Sequence, residues 1–153
     1  MEIKIDDLKD GKVVGLLESH LQKMYEYSPP ESVHALDHEK LRDPSITFWS
    51  AYIGGVLAGC GALKELSKDA AEIKSMKTND LFLRKGVASR LLQEILAEAK
   101  ARGYKAMCLE TGTHEAFIPA VEMYKKYGFV ECNPFGEYTL DPHSHFFSKN
   151  LQP

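Results

Sequence analysis

The stretch Glu72-Ile73-Lys74-Ser75-Met76-Lys77-Thr78, followed after a short link by Leu83-Arg84-Lys85-Gly86-Val87-Ala88-Ser89, decides the fold of this chain. Its first half reads as a strand. Its second half opens a pattern of period 3.6, with Val87, Leu91, Ile95 and Ala99 on one line, Ala88, Leu92 and Leu96 beside it, and Gly103 as the stop. The spacing predicts a long amphipathic helix starting at Gly86. A helix start offers unpaired N–H groups and the positive end of the macrodipole, glycine lets the backbone approach a ligand closely, and Arg84 and Lys85 add positive charge. This chemistry suits a pyrophosphate, and the residues alone equally allow a basic helix start facing solvent. Neither GxxxxGK[ST] nor GxGxxG occurs, which argues against a nucleotide kinase or a Rossmann dinucleotide site.

Upstream of this unit, Ile3 and Ile5 alternate with charged neighbours as a strand, and Val13, Leu16, Leu17, Leu21 and Met24 recur at helical spacing. Ser28-Pro29-Pro30-Glu31-Ser32 ends that helix, since proline cannot donate the backbone hydrogen bond. Ile46–Tyr52, the turn Gly54-Gly55 and Val56–Leu63 form a hairpin, to which Glu72–Thr78 adds a third strand after the turn at Ser67–Ala70. Downstream, Ala106–Glu110 is a short apolar strand. The next helix has Pro119 near its first turn and Gly128 just after its last, and Phe129–Cys132 and His145–Leu151 are the final strand candidates. The order β-α-β-β-β-α-β-α-β-β carries no internal repeat or linker. It predicts an α/β (α+β) fold in one domain over residues 1–153, a mixed, mostly antiparallel sheet of about six to seven strands flanked by helices.

Composition narrows the class. The chain has 153 residues, 44% hydrophobic and 27% charged, and no apolar run near the roughly 20 residues that span a bilayer, so membrane insertion is not expected. Met1-Glu2-Ile3-Lys4-Ile5 lacks the basic and apolar regions of a signal peptide, and a cytoplasmic protein is expected. Cys60, Cys108 and Cys132 are odd in number and far apart, which suggests buried thiols rather than disulfides or zinc. The formal charge of −3 argues against nonspecific nucleic-acid binding.

Arg84-Lys85-Gly86-Val87-Ala88 after a strand resembles the acetyl-CoA loop of the GNAT superfamily of N-acetyltransferases, [QR]-x-x-G-x-[GA]. Gly86 and Ala88 fill its small positions, while Leu83 stands where the family usually has Gln or Arg. Ala120-Val121-Glu122-Met123-Tyr124-Lys125-Lys126-Tyr127-Gly128-Phe129 resembles the family's A-x-x-[LM]-Y-x-x-x-G-F signature, with Phe117 where the family often has Asn. The strand order also follows the family's. The resemblance implies a GNAT fold and an enzyme that transfers acetyl from acetyl-CoA, bound as co-substrate by Met76, Lys77, Thr78, Arg84, Lys85, Gly86, Val87, Ala88 and Ser89. In the family the strand holding Met76–Thr78 splays from its neighbour, pairs with the pantetheine amides and points an N–H at the thioester oxygen.

The same resemblance makes Tyr124 the catalytic residue beside the thioester sulfur. Its helical spacing with Ala120, Met123 and Tyr127 would otherwise make it a core aromatic. A phenol near pKa 10 protonating a thiolate near 8.5 works uphill by roughly 2 kcal/mol, so hydrogen bonding or late proton transfer is the expected role. Exposing the lone pair of an alkylammonium at pH 7 costs about 4.6 kcal/mol, and Glu72 is the candidate base. Strand alternation sets Glu72, Lys74, Met76 and Thr78 on one face, and the family often has Glu at this position. A solvated strand-end carboxylate is the alternative. Glu31 and His34, in the loop after the first helix, are candidate acceptor-binding residues, or an ordinary polar loop. The pairs His34/His38 and His143/His145 lack a third ligand, so no metal is expected. The expected acceptor is a small-molecule amine attacked in a ternary complex, with no nucleic-acid or membrane partner; a homodimer is compatible with this reading. A catalytically silent acyl-CoA-binding module and a protein or peptide acetyltransferase are the alternatives.

Overall fold

The computed structural model describes residues 1–32 and 40–152. The elements are β1 (Glu2–Asp6), α1 (Lys12–Tyr27), β2 (Ile46–Ile53), β3 (Val56–Glu65), β4 (Ala70–Thr78), α2 (Val87–Ala101), β5 (Ala106–Gly112), α3 (Ile118–Lys126), β6 (Val130–Glu131) and β7 (Ser144–Asn150). They follow the order read from the sequence. Among the described residues the strands form one seven-stranded sheet, β1-β2-β3-β4-β5-β7-β6, in which only β4 and β5 run parallel. Gly54 and Gly55 both take positive φ (56° and 79°), the conformation a two-residue hairpin turn demands.

The helical periodicity is satisfied by burial. Val87, Leu91, Leu92, Ile95 and Ala99 of α2 pack with Trp49, Ala71 and Ile73 on one face of the sheet, joined there by Tyr124 of α3. Full burial of each Leu or Ile is worth about 1.5–3 kcal/mol. The other face holds a smaller cluster, in which Val13 of α1 meets Phe48, Cys60 and Ala62. Burial pushes the Cys60 thiol up to about 12 and the Cys108 thiol up to about 11, so both stay protonated at neutral pH.

Strand β4 departs from simple alternation. Cys60 pairs with Lys77 and Ala62 with Lys74, so two steps along β3 match three along β4. The extra residue is accommodated at Ser75, whose φ is +56°, and the result is a β-bulge. The bulge corrects the expectation that Glu72, Lys74, Met76 and Thr78 share a face. Glu72 and Lys74 lie on the α1 side, whereas Met76 packs into the α2-side cluster against Ile95 and the Cα of Gly61. A Cβ at Gly61 would stand 2.4 Å from Met76 Sδ, so the bulge and this glycine fit each other.

The pairing of β4 with β5 ends at Ile73–Leu109, although both strands continue. Beyond that pair the sheet forks. The edge of β4 from Lys74 to Thr78 that faces β5 is left without a strand partner, and its backbone groups need one from elsewhere.

Candidate active site

The fork opens a cleft of about 870 Å³ that is lined from both faces of the sheet. On the α2 side its wall includes Met76, Thr78, Gly86, Val87, Ala88 and Ser89. Gly86 is the N-terminal cap residue of α2, at φ +80°, and no side chain caps the helix. The N–H groups of Val87, Ala88 and Ser89 therefore face the cleft's end without an intrahelical partner. Arg84, at φ +62°, continues the left-handed turn, and such alternating backbone forms a nest for an anion. Asn79 fixes the approach to this loop: its side chain accepts from the Leu81 N–H (3.1 Å) and donates to the Leu57 carbonyl (2.9 Å). Among the sequence-derived binding residues, Met76, Lys77, Thr78, Arg84, Gly86, Val87, Ala88 and Ser89 come together here. Lys85 is exposed and lies off the lining.

Tyr124 reaches the cleft from α3 and is 6% exposed. Its ring meets Phe129 edge-on at 5.7 Å, and its hydroxyl makes no hydrogen bond among the described residues. Burial holds the phenol well above its usual value, so it is a weaker acid than tyrosine in water. Tyr127, one turn on, is exposed to a different use: its hydroxyl bonds the Ser89 hydroxyl and accepts from Gln93 (2.6 Å), tying α3 to the first turn of α2.

On the α1 side of the fork sits a polar cluster. Glu72 is 2% exposed, and its Oε2 accepts a hydrogen bond from the Tyr138 hydroxyl (2.6 Å) and a longer one from Lys74 Nζ (3.4 Å). Lys74 also donates to the Tyr138 oxygen (2.9 Å). Burial first, then the adjacent Glu72 carboxylate, hold Tyr138 protonated far above the ordinary phenol range. Hydrogen bonds to charged groups carry about 1.5–3 kcal/mol, so Tyr138→Phe is expected to lower the unfolding free energy by that amount at neutral pH. Urea denaturation measures it, and an unchanged midpoint would show the bond to be idle.

Glu110 follows the last β4–β5 pair and shares the α1 face with Glu72, because Cys108 pairs with Glu72 and lies two residues before it. Burial raises its carboxyl to about 7; the Ser144 hydroxyl and Lys74 ammonium oppose the rise, and the Glu72 and Asp141 carboxylates add to it. Next along this face, the Phe117 ring lies over Gly112, where a Cβ would stand 2.3 Å from the ring. Tyr27 of α1 meets Phe117 edge-on (5.9 Å) and stacks on His114 (4.8 Å), forming an aromatic wall. Across the cleft, Lys23 of α1 binds Asp80 at 2.5 Å, and burial together with Lys77 and Lys23 lowers His20 to about 4, leaving it neutral. Glu31 is exposed, in the short turn Pro30–Ser32, and does not line the cleft. His34 lies outside the described residues.

Sequence reading missed Lys74, Glu110, Tyr138 and the aromatic wall. Glu110 carried a weak signal, a carboxylate ending an apolar strand. Tyr138 carried none, since the bond to Glu72 joins residues 66 apart in sequence.

Comparison with known proteins agrees with this geometry. The model of the acetyltransferase (GNAT) family matches residues 13–129. The chain is 55% identical to the uncharacterized N-acetyltransferase YsnE of Bacillus subtilis (strain 168), over 99% of this chain and 100% of that one. It is 49% identical to the uncharacterized N-acetyltransferase YedL of Escherichia coli (strain K12), over 97% and 94%. The crystal structure of a GNAT family acetyltransferase from Elizabethkingia anophelis with acetyl-CoA bound shares the fold, with a TM-score of 0.70 and 18% identity over 97% of both chains.

Proposed function

The chain belongs to the acetyltransferase (GNAT) family, and we propose that it moves an acetyl group from acetyl-CoA directly to the primary amine of a small molecule while both are bound. The observation that carries this reading is the fork: one cleft joins the uncapped start of α2 on one face of the sheet to the carboxylates of Glu72 and Glu110 on the other. The nest at Arg84–Gly86 and the N–H groups of Val87–Ser89 suit the pyrophosphate, and the unpaired edge of β4 suits the pantetheine amides. An N–H of the Met76–Thr78 segment stabilises the oxyanion as the nitrogen lone pair attacks the thioester carbon. The C–S bond then breaks, and the thiolate leaves beside the Tyr124 hydroxyl. Removal of the amine's proton falls to a carboxylate at the fork, where Glu72 and Glu110 both stand. Cys60 and Cys108, buried and protonated, are poor nucleophiles, which supports direct transfer without a cysteine intermediate. A cytoplasmic setting, with acetyl-CoA at hand, fits the reading.

The test is a panel of amines, amino acids and peptides with acetyl-CoA, following free thiol and the mass of the product. Thiol release that depends on a small primary amine and yields its acetyl derivative is the expected result. Binding of acetyl-CoA with no release for any acceptor would favour the silent module, and release with peptides alone would favour a protein acetyltransferase.

A further inference from the structure

Among the described residues, the carboxylates of Glu72 and Asp141 and the Lys74 ammonium lie near Glu110 on the α1 side of the fork, and the three carboxylates are not equivalent. Glu72 is committed to Tyr138 and Lys74. Asp141 accepts from the Ser32 hydroxyl (2.6 Å) and the His143 N–H (2.8 Å). Glu110 forms no ion pair among the described residues, lines the cleft, and is the first residue of β5 past the point where the strands part. A carboxylate that lines the cleft with no ion pair among the described residues suits a cation. Two residues along the same face, about 7 Å away by strand geometry, stands the wall of Phe117 and Tyr27.

Resting on the acetyl-transfer reading, we propose that Glu110 receives the acceptor's ammonium group and takes its proton, while the Tyr27–Phe117 wall holds the acceptor's body. The substrates are then primary amines carrying an aromatic or apolar group close to the nitrogen. Glu72 is a positioning residue that fixes Tyr138 and Lys74 around the site. The protons balance: one leaves the ammonium to Glu110 and passes to solvent, and the second leaves the nitrogen after attack and reaches the coenzyme A thiolate. The cleft disfavours an acceptor carboxylate, because the described cations that line its inner part are already engaged, Lys74 by Glu72 and Lys23 and Lys77 by Asp80. Among the described residues, Glu72 and Lys74 from β4, Tyr138 and Asp141 from the segment before β7, and Ser144 of β7 act on Glu110, and His20 and Lys23 of α1 line the same cleft. A carboxyl that titrates near the working pH is the best base for this task, and a docked ammonium favours its ionised form.

The experiment uses the full chain with its glutamates carboxyl-labelled with carbon-13, titrated by NMR with and without 2-phenylethylamine, and compared with Glu110→Gln and Glu110→Asp. One resonance, absent in both variants, is expected to titrate near pH 7 and to move about one pH unit lower with the amine; phenylalanine, which adds a carboxylate, moves it less. With 2-phenylethylamine as acceptor, Glu110→Gln loses about 10²–10⁴-fold in kcat/KM at pH 7, the deficit shrinks as rising pH deprotonates the amine, and Glu110→Asp recovers part of the loss. Folding stability checks the raised carboxyl independently of turnover. The raised folded pKa means that the wild type loses stability as pH rises from the ordinary carboxylate range through about 7, and Glu110→Gln does not. A resonance that the amine leaves in place, or full turnover by Glu110→Gln, overturns the proposal. Absence of stabilisation by acetyl-CoA would instead defeat the acetyl-transfer reading, with the carboxyl titration still readable.

Discussion

Replacing Gly86 by glutamate is expected to abolish the rise in melting temperature that acetyl-CoA gives the wild-type protein. At a ligand concentration 100 times Kd, a ligand that binds only the native state stabilises it by about 2.7 kcal/mol, or roughly 5–10 °C for a domain of this size. Two effects remove this in the variant. Gly86 sits at φ +80°, where a side chain costs about 1–2 kcal/mol, so the turn relaxes and the N–H groups of Val87, Ala88 and Ser89 lose their common aim. The added carboxylate also repels the pyrophosphate at the place where the helix dipole attracts it. Together they predict a loss of about 100-fold or more in affinity, which leaves a rise of about 1 °C. A Cβ at Gly86 meets nothing within 4 Å, so Gly86→Ala isolates the backbone effect and should fall between the two. The quantity to compare is the ligand-induced rise, because strain lowers the variant's own melting temperature. Equal rises in wild type and Gly86→Glu would place the coenzyme elsewhere.

Tyr124→Phe is expected to lower turnover by roughly 10- to 1000-fold while leaving stability and acetyl-CoA affinity nearly unchanged. The ring provides the packing: it is buried in the α2-side cluster against Phe129, and phenylalanine keeps those contacts. The hydroxyl has no hydrogen-bond partner among the described residues, so a structural role gives it nothing to lose. If it serves the leaving thiolate, its contribution develops as the C–S bond breaks and is absent from the ground state. Burial raises its pKa, and the phenol therefore stays neutral at all working pH and acts as a donor to the thiolate rather than an early proton source. A donor with a better leaving group should recover part of the loss. Full turnover at saturating acetyl-CoA would remove Tyr124 from the mechanism.

The parts of this protein that were legible in its sequence are those fixed by local physics. The period of Val87–Ala99 made α2 unmistakable, because only one helical face has to be buried, and Gly86 and Gly103 marked its ends through φ values that favour glycine. The hairpin at Gly54-Gly55, the helix beginning near Pro119 and the order of all ten elements followed from similar short-range rules. The motif around Gly86 located the uncapped helix start at the end of the cleft for the same reason, since a nest of N–H groups is made by consecutive residues. What lay beyond the sequence arises from register and from contacts between distant segments. The bulge at Ser75 is a mismatch between two strands, two residues against three, and β4 by itself read as simple alternation; the bulge moved Met76 to the opposite face from Glu72. The fork at Ile73–Leu109 is where two parallel strands cease to pair, and Glu110 matters because it is the next residue there. Tyr138 meets Glu72 across 66 residues, and Phe117 replaces a Cβ over Gly112 in touch with Tyr27 from α1. Which carboxylate is committed to Tyr138 and Lys74 and which is left facing the cleft is a property of the assembled sheet rather than of any one segment.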